Sequence, residues 1–187
     1  MRHDRRLAAA THSLILLAAA VGLANPARSD EAAPAGPSSP APAALEFRDF
    51  YRMPVGPEGL EPTPGFLALD GRRVQLTGYV VHEEEPEPGL LLLSPVPAAL
   101  ADIADGPADG LPVSTVYVRL PASVAGHYVV AQPGPWTVTG TLDLGGRPEA
   151  HGRYSYVRLQ VSDASDVRGP EQQALTLTET APRTHAH

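Results

Sequence analysis

The 187-residue chain has no cysteine and no lysine, and its fourteen basic residues are all arginine. Without cysteine there can be no disulfide, no thiolate nucleophile or metal ligand, and no lipid-modified cysteine. Whatever part of the chain folds must be held together by burial and hydrogen bonding. Aromatic residues are few, 5% of the chain with one tryptophan, so each place where they gather is informative. A long apolar run is also missing. The uncharged stretch from Leu7 to Ala27 is rich in alanine and broken by Thr11, His12, Ser13, Asn25 and Pro26, whereas a spanning helix needs about 20 predominantly apolar residues.

Residues 1–29 have the layout of an export signal. Arg2, Arg5 and Arg6 supply a positive start, Leu14 to Ala20 an apolar centre, and Gly22-Leu23-Ala24 or Ala27-Arg28-Ser29 a small-residue cleavage point. The expected location is the periplasm or the cell exterior, with no membrane insertion after cleavage. Cleavage after Ser29 removes four of the fourteen arginines and one of the twenty-one acidic residues, leaving ten against twenty and a formal charge of −10. Such a balance disfavours nucleic acid and anionic membrane surfaces.

What is abundant is proline and glycine, 21 and 17 residues, spread along the whole chain. Residues 30–44, with Pro34, Pro37, Pro40 and Pro42, have too little apolar bulk to offset the entropy of ordering and read as a disordered linker. Residues 45–65 read as an arm: Leu45, Phe47, Phe50 and Tyr51 suit a short helix or a segment lying on the domain, before Pro54 and later prolines end it. Residues 66–165 form the expected domain, and residues 166–187 a flexible tail.

Within that domain the dominant signal is a period of two, which a half-buried strand requires because successive side chains leave a pleated backbone on opposite faces. After the Asp70-Gly71 turn, Val74, Leu76, Gly78 and Val80 alternate with Arg73, Gln75, Thr77 and Tyr79. Leu90 to Ser94 is a continuous apolar run. Thr115 to Leu120, Trp136 to Leu144 and Tyr154 to Val161 alternate again. Phe66 to Leu69 is read as a short edge strand, Pro97 to Asp105 as a short helix, and Ala122 to Val130 as a turn of helix or a crossover. Strands with one apolar face bury it and lose their edges by closing on themselves. The fold class is therefore mostly β, a small five- to six-stranded OB-like barrel with one or two short helices.

The motifs occur in a recognisable order: Leu69-Asp70-Gly71-Arg72-Arg73-Val74 with Gly78-Tyr79-Val80, then Leu91-Leu92-Leu93-Ser94-Pro95, Val116-Tyr117-Val118, Val138-Thr139-Gly140-Thr141-Leu142 with Gly145, and Tyr156-Val157-Arg158-Leu159. This series resembles DUF3299, a bacterial family of exported proteins defined as a domain of unknown function, over about Phe47 to Val161. The resemblance implies an OB-like fold and, for some members, companionship with envelope transport systems. The family often carries cysteine just after the segment matching Leu92 to Pro95. Here Val96-Pro97-Ala98-Ala99 stands instead, so no thiol chemistry carries over and no catalytic residue is implied.

Two residue groups invite a site. Tyr79, Tyr117, Arg119, Tyr154, Tyr156 and Arg158 fall on the polar phase of their strands, and aromatics beside arginines on an outer surface suit a sugar ring, a peptide or a protein. His82-Glu83-Glu84-Glu85 and the terminal His185 and His187 are the potential metal ligands, although neighbouring strand residues alternate faces and the simpler reading is a solvated turn and a frayed end. His127 and His151 each lie four residues from a serine, Ser123 and Ser155, but no nucleophile elbow or oxyanion-hole pattern surrounds them. No cofactor motif is present. The expected function is a non-enzymatic exported binding or adaptor module with an envelope protein as partner; a periplasmic metal-handling protein is the alternative.

Overall fold

The computed structural model describes residues 40–100 and 111–182. The expected signal segment and most of the expected linker lie outside the described residues. Among the described residues the fold is mostly β, with one short α-helix and several single 3₁₀ turns.

Five strands carry the architecture: β2 (Arg73–Val80), β4 (Leu90–Ser94), β6 (Val116–Arg119), β8 (Pro135–Pro148) and β9 (Tyr154–Gln160). They hydrogen-bond in a closed ring, β2 to β4 to β6 to β9 to β8 and back to β2. Every pairing is antiparallel except β6 with β9, which is parallel. The period-two residues face inward as expected: Val74, Leu76, Val138, Leu142, Val157 and Leu159 are all buried in one core with Trp136. Burying a side chain of this size contributes about 1.5–3 kcal/mol.

The ring has additions on both sides. β1 (Ala43–Leu45) runs parallel to β2, so the last residues of the expected linker are already paired. The arm then makes a 3₁₀ turn, Phe47–Asp49, and sends Phe50 into the core, where it stacks on Phe66 with centroids 4.3 Å apart. Phe66 belongs to α1 (Pro64–Leu67), which replaces the expected edge strand. The reason is local. The Thr63 hydroxyl accepts from the Phe66 amide at 3.1 Å and Pro64 occupies the first helical position, both of which start a helix.

The continuous apolar run of β4 is buried on both faces. Leu91 and Leu93 enter the main core, while Leu90 and Leu92 join Val81 and Tyr117 in a second cluster outside the ring. Ala98, Leu100 and Leu111 cover that cluster, from the segment between β4 and β6. There β5 (Ala99–Leu100) pairs in parallel with β3 (His82–Glu83), in place of the expected helix over its described part; residues 101–105 lie outside the described residues. Ala122–Val124 is a 3₁₀ turn leading to β7 (Tyr128–Val129).

Beyond Val161 the chain does not leave the fold. The Arg73 guanidinium bonds Asp166 at 2.7 Å, β10 (Val167–Arg168) pairs with β8, and β11 (Leu177–Thr178) pairs with β7. Val167 is fully buried. The described part of the expected tail thus pairs with two strands, because its few apolar residues find sheet edges to complete. Among the described residues no helix is long and apolar enough to cross a membrane.

Candidate binding surface

β8 and β9 pair in register from Thr141 with Gln160 to Leu144 with Val157, then the register shifts, and pairing resumes at Arg147 with Ser155. Gly145, with φ of 108°, lies in this irregularity. Gly146 follows it, and the Tyr154 ring lies directly against its backbone: a Cβ built on Gly146 would meet Tyr154 Cε1 at 2.5 Å. Gly146 therefore makes the bed for the Tyr154 ring. Tyr156, two residues on, presents its ring 5.3 Å away at 57°. The two are 53% and 56% exposed, which is high for large aromatic side chains on a central strand.

Beside this pair is a cleft of about 130 Å³ whose walls include Val113, Thr115, Tyr117 and Arg153. Val113 is itself 52% exposed. The Arg153 guanidinium is fixed by Glu83 at 2.7 Å, both side chains being nearly buried, so the cleft holds a compensated charge. Burial, and to a lesser extent the neighbouring Tyr156, push the Tyr51 hydroxyl above its ordinary pKa. The surface is aromatic and of mixed polarity with its arginine compensated, suited to stacking and hydrogen bonding.

Only part of the expected surface assembles. Tyr154, Tyr156 and Tyr117 line one cleft, but Tyr117 is only 5% exposed because Leu111 and its neighbours cover the outer face of β6. Tyr79 lines a different cleft, with His82, Pro97 and Gln132. Arg119 is taken up by Glu87 at 2.8 Å and by Glu149. Burial lowers its pKa, but the hydrogen bonds and charges of those two carboxylates outweigh this and hold it above the usual arginine value. Arg158 is a correction to the expected outer surface. It is 2% exposed and forks onto Asp143 through Nε at 3.0 Å and Nη2 at 3.2 Å, while Nη1 donates to the Gly145 carbonyl at 2.7 Å and the Ser155 hydroxyl at 2.8 Å. This pairing holds the Asp143 carboxyl below its ordinary pKa.

The Ser155 hydroxyl in turn donates to Glu149 at 2.6 Å, so it sits inside a structural network. Of the possible metal ligands, His82 is exposed and Glu83 serves Arg153. His185 and His187 lie outside the described residues. Among the described residues no three histidine or acidic side chains are gathered. Arg153, Val113 and Gly146 belong to the surface without any strand phase to mark them; the Gly145-Gly146 pair ahead of a tyrosine-bearing strand is the one signal that could have found the third.

No family model matches the chain, and no curated protein matches it. Among solved structures the chain is similar to a crystal structure of a DUF3299 family protein from Pseudomonas aeruginosa, with 18% identity, covering 76% of this chain and 99% of that one, at a TM-score of 0.39.

Proposed function

We propose that this protein is an exported, non-catalytic binding module built on an OB-like barrel, and that it holds a protein partner of the cell envelope at the Tyr154–Tyr156 face. The barrel reading rests on strand order. Numbering the ring strands along the chain, they neighbour one another as first, second, third, fifth, fourth and first again, with the third and fifth parallel; this is the arrangement of a five-stranded Greek-key barrel. Export rests on the layout of residues 1–29.

The observation that carries the binding reading is the exposed tyrosine pair, with Tyr154 bedded on Gly146, beside a charge-compensated cleft. Solvent-exposed aromatics held at fixed spacing are anchors of the kind that dominate protein interfaces. The test is capture from envelope extract with the immobilised protein and with Tyr154→Ala/Tyr156→Ala. A partner retained by the first and lost from the second, with unfolding midpoints unchanged, is the expected outcome. Equal capture by both would remove this face from the binding role.

A further inference from the structure

β2 changes neighbours at Val80. From Arg73 to Tyr79 it pairs with β8, and the last pair is Tyr79 with Pro135. In an antiparallel ladder the N–H and C=O of one residue point to one neighbour and those of the next residue to the other. The Val81 amide donates to the Leu92 carbonyl beside β4 at 2.8 Å, so the polar backbone groups of Val80 point away from β4, to the β8 side. Two residues on, the His82 amide finds a new partner there, the Ala98 carbonyl at 2.9 Å, where β3 meets β5. Between the two partners one rung is missing. Its place would be Val80 with Gly134, but Gly134 has a φ of 125° and, among the described residues, no backbone hydrogen bond joins the two. A cleft of about 300 Å³ opens at this point, touching Val80 and walled by Tyr79, Pro97, Ala98, Ala131 and Pro133.

We propose that this gap is a slot for an extended peptide segment, which completes the missing rung on Val80 and places an uncharged side chain in the cleft. A donor and an acceptor side by side on one residue are matched together by another peptide unit, the pairing by which an added strand joins a sheet edge. The walls decide what side chain can follow. They are a tyrosine ring, two prolines and two alanines, with no acidic or arginine side chain among them, so a charged group would lose water there without gaining a partner. Gln132 and His82 stand at the same cleft as further hydrogen-bonding groups for the peptide. A smaller cleft of about 100 Å³ also touches Val80, His82 and Ala131, so the bound chain has a path beyond the first cleft. The slot gives Tyr79 a setting of its own, apart from the other tyrosines. It shares no residue with the Tyr154–Tyr156 cleft, and the inference does not rest on that surface.

Nuclear magnetic resonance on the isotope-labelled full chain tests it, with the pentapeptide Ala-Ala-Leu-Ala-Ala, blocked at both ends, as the probe. The Val80 amide proton is expected to shift downfield as the peptide is added and to exchange more slowly with water. Methylating the nitrogen of the central leucine removes one donor and leaves the side chain, and should weaken binding by about tenfold, the scale of one hydrogen bond. Glutamate in place of that leucine should weaken it as well. Ala131→Trp, at an exposed position of the cleft wall, should abolish the Val80 response with circular dichroism unchanged, whereas Tyr154→Ala/Tyr156→Ala should keep it. No response at Val80 to the leucine peptide at millimolar concentration would overturn the proposal. So would equal binding of the methylated or the glutamate peptide, a result read on the unaltered protein whatever Ala131→Trp does to folding.

Discussion

The outward side of β9 has two halves that behave in opposite ways. Tyr154, Tyr156 and Arg158 share one strand phase, yet the first two are 53% and 56% exposed and the third 2%. The difference comes from β8. Opposite Arg158 stands Asp143, in register, offering both carboxylate oxygens. Beyond the register shift Tyr154 pairs with Pro148, and its ring lies over Gly146 of the irregularity, against bare backbone. The same irregularity serves both halves, because the Gly145 carbonyl also accepts from Arg158. Strand phase decides only that a side chain leaves the ring; the neighbouring strand decides whether it reaches water.

The largest test of that contrast is Arg158→Ala. It takes the buried guanidinium from Asp143 and Ser155, leaving Asp143 only the exposed Arg147 at 3.1 Å, and removing one partner of a buried pair typically costs about 3–5 kcal/mol. Urea unfolding should show a loss near the lower end of this range, as Asp143 keeps some solvent contact. Tyr154→Ala/Tyr156→Ala should move the midpoint far less. If the two variants were equally destabilised, the two halves of β9 would not differ in kind.

Acid should separate the halves more gently. Asp143 has a lowered pKa in the folded protein, chiefly through its hydrogen bond from Arg158, which outweighs the opposing effect of burial. A depressed carboxylate stabilises the fold fully above its unfolded pKa of about 3.9, and that contribution is lost as pH falls through the folded value. Stability should therefore decline below about pH 4, and Asp143→Asn should flatten part of that decline in a series of urea titrations. An unchanged slope in the variant would mean that Arg158 is held mainly by Gly145 and Ser155.

The ring strands were legible in the sequence because each carries its own period of two or, in β4, an unbroken apolar run bounded by turns. Tyr117 and Arg158 were legible in phase and not in exposure, since what covers them comes from Leu111 and Asp143, elements with no local signature of contact. α1 is only four residues long, too short for helical periodicity, and its capping threonine and proline were outweighed by the apolar Phe66 to Leu69 stretch. The pairing beyond Val161 was hidden for a related reason: Val167 stands as an isolated apolar residue, and the alternation of Leu175-Thr176-Leu177-Thr178 is only four residues long. Of the tyrosine face, the exposed pair was readable and its bed and cleft were products of the register shift.

The smallest expected change in stability is also the sharpest for function. In Gly146→Ala the new methyl would fall 2.5 Å from Tyr154 Cε1 and 3.0 Å from its hydroxyl, too close for both to stay. The ring is exposed and can swing outward, so the cost should remain within about 1 kcal/mol, the scale of an ordinary surface change. The 5.3 Å spacing of the pair would be lost, however. If that spacing is what a partner reads, capture should fall towards the level of the double tyrosine variant while the unfolding midpoint hardly moves. A large loss of stability with capture retained would reverse the assignment, making Tyr154 a plug that closes the irregularity between β8 and β9 and leaving Tyr156 as the contact group.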